Sequence, residues 1–177
     1  MTDPAAKPRI PTPKVSSGAG RRSLARLAAV QALYQIELTA QEAAAVVSEF
    51  STHRLGREID GDQYADADRE FFADLVKGSS ERREDVDAIA AAALPPEWPL
   101  ARLESVLRAI LRAATYELLA RGDVPARVAI NEYVEIAHAF FSGKEPGMVN
   151  GVLDRIARTL REGELSGTGR DGGAQAG

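Results

Sequence analysis

Three arginines, Arg21, Arg22 and Arg26, crowd the start of the segment RRSLARLAAVQALYQ (Arg21–Gln35). Guanidinium groups pair two-pronged with phosphate oxygens, so the chemistry this cluster suggests is contact with a phosphodiester backbone. At helical spacing, Arg22 and Arg26 share one face, flanked by Arg21 and Ser23. Leu24, Leu27, Ala28, Tyr34 and Leu38 project from the opposite face, as in an amphipathic helix. Cations at a helix N-terminus oppose the helix dipole, at a cost of about a few tenths of a kcal/mol that a bound polyanion would offset. The plainer reading is a solvated arginine face. Gln31 falls in the apolar stripe, where it reads as a buried amide satisfied by backbone groups.

No other set of residues makes an active site. His53 and His138 lie far apart in sequence, and an i,i+3 pairing with Glu135 accounts for His138. Asp60-Gly61-Asp62-Gln63-Tyr64 begins like a calcium loop, but Tyr64 stands where a ligand belongs and the glycine is misplaced. Glu132 and Glu135 are close only in sequence, with no apolar pocket to raise a carboxyl pKa. Asn131 reads as a brace for the start of its helix. Phosphate loop, nucleophile elbow and dinucleotide fingerprint are all missing from the sequence. A non-enzyme that needs neither metal nor cofactor is expected.

The elements that must position these residues are helical. Apolar residues at helical period and punctuation by Gly and Pro place helices at about 21–38, 41–53, 67–78, 81–93, 99–120, 127–141 and 147–161. Asp66 or Asp68 is positioned to cap the third. Gly78-Ser79-Ser80 separates the third from the fourth, and Pro95, Pro96 and Pro99 break the chain around Trp98. Ile130, Val134, Ala137 and Phe141 fall within about 60° of one another, as do Val149, Leu153, Ile156 and Leu160. No convincing strand pattern is present. The expected class is all-α, a bundle of about seven helices with connections short enough for antiparallel packing.

Composition agrees. Hydrophobic residues make up 45% of the 177, but aromatics only 6%, so alanine and leucine do most of the packing and favour helix over strand. Residues 1–20 hold four of the nine prolines and, like the Gly-rich stretch 163–177, read as disordered tails around a folded body at 21–162. The absence of cysteine excludes disulfides and thiolate metal sites. With no apolar run long enough to span a bilayer and no signal-like N-terminus, a cytoplasmic protein is expected. The net charge of −4 argues against broad nucleic-acid binding and leaves room for a local basic site.

Several words exceed what periodicity demands: Asp-Val-Pro with Ile-Asn-Glu in DVPARVAINEYVEIA (Asp123–Ala137), Val-Asn-Gly-Val-Leu-Asp in MVNGVLDRIARTLR (Met148–Arg161), and VLRAILRAATYEL (Val106–Leu118). With Arg21–Gln35 and Trp98, this ordered set resembles the NusB family of bacterial transcription antitermination factors over about Arg21–Arg161. The resemblance implies two packed helical subdomains, of three and about four helices. It also implies a non-catalytic protein that binds single-stranded boxA-type RNA of ribosomal RNA leaders jointly with the ribosomal protein NusE, within an RNA polymerase antitermination complex. Some members form homodimers, and that stays open here.

Carried over by position, Arg21, Arg22 and Arg26 are the implied RNA contacts on the first helix. Phe140 and Lys144 are implied contacts in the last connection. Tyr34 and Leu107 match the side that meets the ribosomal protein. Met148 stands where an aromatic is common. Two alternatives remain: a helical adaptor without RNA function, and a stand-alone relative of the RNA-binding domain of ribosomal RNA cytosine methyltransferases.

Overall fold

Ala25, Ala28, Ala29 and Ala32 are fully buried, and side chains this small let other helices close in on their helix from several sides. The computed structural model describes residues 20–55, 58–59, 62–63 and 67–165. Its elements are α1 (Arg21–Thr39), α2 (Ala43–His53), α3 (Arg69–Glu81), α4 (Arg83–Ala93), α5 (Ser105–Ala120), α6 (Ala126–Phe140) and α7 (Glu145–Leu160). Two-residue strands, β1 (Glu58–Ile59) and β2 (Asp62–Gln63), pair antiparallel between α2 and α3, where no strand was expected. Of the calcium-like stretch, Asp60, Gly61 and Tyr64 lie outside the described residues, as do both tails except Gly20 and the stretch 163–165.

The all-α class holds: the described residues form seven helices around one contiguous apolar core to which each contributes. Helices α1–α3 pack on one another, and α4–α7 form the second group. α5 joins them by lying against both α1 and α3, while α6 also touches α1. α1 is therefore a central helix, not the two-faced one expected. From Leu24 to Leu33 every residue is buried, whereas Leu38, expected in the core, is 46% exposed.

Local chemistry explains the boundaries. Asp68 accepts a hydrogen bond from the Phe71 amide at 3.0 Å and so caps α3. α1 ends at Ala40 with a left-handed φ of 55°, a conformation glycine adopts more readily. Gly78 does not stop α3, which runs on to Glu81. A Cβ at Gly78 would lie 2.0 Å from Cζ of Tyr116, so the missing side chain makes room for that ring. The fifth helix starts at Ser105 rather than near 99. Pro99 opens only a 3-10 turn at Leu100–Arg102, and the chain is extended at Leu103. Pro146 falls in the first turn of α7, where its missing N–H costs nothing.

Order extends beyond the expected limit at 162. The Arg161 guanidinium donates to the carbonyls of Glu117 (3.1 Å), Leu118 (2.9 Å), Arg121 (2.7 Å) and Val124, pinning the end of α7 to the end of α5 and the turn that follows it. Glu164 accepts the Ala126 amide at 3.0 Å, and Leu165 is buried. The stretch 163–165 thus belongs to the folded body and closes the α5–α6 joint.

Candidate nucleic-acid interface

The start of α1 sits beside the Phe71 ring of α3. The guanidinium carbons of Arg22, Arg26 and Arg121 stand 4.6, 5.0 and 5.0 Å from that ring's centroid. Such stacking fixes the planes of the arginines while leaving their edges for hydrogen bonds. The Asp68 amide donates to the Arg21 carbonyl at 3.0 Å, tying the entrance of α3 to the entrance of α1.

The three arginines of α1 part company here. Arg21 is exposed. The Arg22 side chain is 43% exposed and lies 3.3 Å from Asp123 and 3.7 Å from Asp68. Asp123 also takes two hydrogen bonds from Arg121, which hold its carboxyl below the usual range. Exposed pairs of this kind contribute roughly 0–1 kcal/mol, so a phosphate can exchange with the carboxylates while Phe71 keeps the Arg22 guanidinium oriented.

Arg26 overturns the expectation of a shared exposed face. It is 3% exposed and bound by Glu117 of α5, with Nε 3.1 and 3.0 Å from the two carboxylate oxygens and Nη2 at 2.6 Å. Tyr133 of α6 donates to the same carboxylate at 2.8 Å. Burial works against the Arg26 cation, but Glu117 more than offsets it, and the guanidinium is held more firmly protonated than usual. Burial likewise pushes the Tyr133 phenol well above its ordinary range, with the charge of Glu117 adding to the effect. α1 is covered here by α3, α5 and α6, which turns the supposed polar face inward. Arg26 does not reach a ligand at the surface; it links both helical groups from within.

Glu132 is no free carboxylate either. It accepts from Ser23 at 2.8 Å and lies 3.8 Å from Arg26, bracing α6 against α1. Asn131 sits well inside α6, which begins at Ala126, so it does not brace the helix start. Phe140 is half-buried against the core and Lys144 is exposed at the entrance of α7. Phe140 lies eight residues beyond Glu132, about 12 Å of helical rise. Tyr34 is half-buried on α1, near its C-terminal end. Leu107 is only 2% exposed, so it does not project as a contact; it forms part of the wall of a groove with Trp98 and Phe141.

Reading the sequence missed Phe71, Glu117, Arg121 and Tyr133. One signal was there. Arg26 and Glu117 are opposite charges, each set in a mostly apolar helical run, Leu24–Leu33 (apart from Gln31) and Leu111–Leu118 (apart from Arg112 and Thr115), and buried charges survive as pairs. Among the described residues no group of three or more His, Cys, Asp or Glu side chains is placed to hold a metal ion. Among them too, no helix is long and apolar enough to cross a membrane.

The NusB family model matches residues 23–158. The transcription antitermination protein NusB of Rhodopseudomonas palustris (strain BisB18) is 49% identical over 156 residues, covering 88% of this chain and 92% of that protein. The protein of that name from Brucella suis biovar 1 (strain 1330) is 50% identical over 157 residues, 89% of this chain and 91% of its own. Among solved structures, T. maritima NusB superposes with a TM-score of 0.67 at 30% identity, covering 84% of this chain and 99% of that one. The NusB chain of a crystal structure of NusB and NusE with double-stranded RNA gives 0.63 at 24% identity, over 77% and 96%, a likeness of fold.

Proposed function

The chain belongs to the NusB family, and from that premise we propose that it is a non-catalytic transcription antitermination factor that binds RNA together with the ribosomal protein NusE. The RNA is single-stranded boxA-type sequence in ribosomal RNA leader transcripts, and the ternary complex acts on RNA polymerase. The observation that supports this most is the Phe71 platform: it presents the Arg22 guanidinium oriented and partly exposed at the tip of α1, next to exposed Arg21. An oriented guanidinium loses little freedom on meeting a phosphate.

Arg21 and Arg22 contact the backbone of the RNA. Phe140 and Lys144, at the far end of α6, supply a second contact, with Phe140 offering a ring for a base and Lys144 a cation for a phosphate. Arg26 acts indirectly, by holding α1 on α5. Tyr34 and the groove behind Leu107 belong to the side that meets the ribosomal protein. The proposal places the protein in the cytoplasm and involves no cofactor.

Competition between boxA-type and scrambled RNA oligonucleotides tests this reading. Preference for the boxA-type sequence supports it. Equal competition by both would leave the helical adaptor as the better description.

A further inference from the structure

A groove of about 470 Å³ opens between the Pro-rich turn before α5 and the α6–α7 connection. Trp98, Leu107 and Phe141 form apolar walls, and Glu97, Glu104 and Glu145 bring three carboxylates against one guanidinium, that of Arg102. We infer that this groove seats a lysine or arginine side chain of the protein partner, an inference that rests on the proposed partnership with a ribosomal protein.

Three features select that occupant. The first is charge: an excess of carboxylates repels a phosphodiester and attracts a cation. The second is an orphan. Oε2 of Glu145 is sealed from solvent, and among the described residues it has no hydrogen-bond partner. A carboxylate with one oxygen in that condition is poorly stabilised by the fold, and a cation seated in the groove beside it offsets that. The third is the walls. Trp98 and Phe141 are both half-buried, so each keeps surface that a long side chain can cover, its methylene stem on the apolar wall and its cation against the rings.

Closeness to Gly143 keeps the acceptor where it is. A Cβ at Gly143 would lie 2.8 Å from Oε2 of Glu145, so the carboxylate is tucked beneath a residue without a side chain. Glu145 opens α7 directly after Lys144, and Phe141 follows Phe140. The groove therefore adjoins the residues assigned to RNA, and a partner held in it would stand beside the nucleic acid.

Trp98 is the sole tryptophan, so its signal reports this groove alone. The test uses the full chain labelled with 5-fluorotryptophan, titrated with the ribosomal protein NusE and, separately, with boxA-type RNA. The fluorine resonance is expected to shift with the ribosomal protein and to stay in place with RNA alone. Glu145→Gln is expected to weaken the protein–protein contact at least about tenfold, with Glu104→Gln as a second, more exposed variant. Unchanged affinity in both variants, or a resonance that moves with RNA alone, would overturn the groove assignment and leave the partnership standing. Failure of the unmodified protein to bind the ribosomal protein at all would remove both.

Discussion

Arg26 of α1 and Glu117 of α5 form a two-pronged ion pair with neither side chain more than 3% exposed. It draws the first helix of one group onto the central helix of the other, and Tyr133 brings α6 to the same carboxylate. Removing one partner of a buried pair leaves the other charged and uncompensated. Arg26→Ala and Glu117→Gln are each expected to cost about 3–5 kcal/mol. Arg22→Ala, at the surface, should stay within roughly 0.5 kcal/mol. Denaturant unfolding of the three variants checks this, and equal midpoints for Arg22→Ala and Arg26→Ala would contradict it.

Gly78 is required by a neighbour rather than by its own backbone. Its hypothetical Cβ would penetrate the Tyr116 ring, which is held by a 2.8 Å hydrogen bond to Asp74. Gly78→Ala should therefore destabilise the protein by about 1–3 kcal/mol through overpacking, although alanine is the better helix former. Thermal unfolding decides it, since a helix-propensity effect alone would raise the melting temperature.

Acid should loosen the contact of α1 with α5. Burial alone would raise the Glu37 carboxyl, but hydrogen bonds and charges from Arg108 and Arg112 outweigh it and hold it below the ordinary glutamate range. Arg112 also holds Asp87 of α4, at 2.7 and 2.9 Å. A carboxyl with a depressed folded pKa binds fewer protons folded than unfolded. Its contribution is complete above the unfolded value and is lost as pH falls through the folded one. Stability should thus fall with pH below about 4.5 more steeply in the native protein than in Glu37→Gln, as unfolding at stepped pH would show.

How much of this was legible in sequence depends on the range of the forces involved. Helix number and most ends follow from local chemistry, such as Asp68 as a cap and the prolines around Trp98. Gly78 misled because the same residue type serves as a helix stop and as space for a ring, and only Tyr116 distinguishes them. Periodicity also supposed one buried face per helix, which fails for α1, covered on several sides. That is why Arg26 was assigned to a surface it does not reach. The arginine cluster itself was visible; the Phe71 ring that organises it comes from another helix and has no trace in local spacing.

The central claim, joint recognition of RNA with a ribosomal protein, is tested most directly by the affinity for a boxA-like oligonucleotide with and without NusE at fixed salt. An acidic chain with a small basic tip should hold RNA weakly alone, and a basic partner beside it should raise the affinity about tenfold or more, a coupling of at least roughly 1.4 kcal/mol. By linkage, RNA then tightens the protein–protein contact by the same factor. Arg21→Ala with Arg22→Ala should lower the slope of log affinity against log salt by roughly 0.7 for each phosphate that the double variant no longer neutralises. Equal RNA affinity with and without the ribosomal protein would contradict the account.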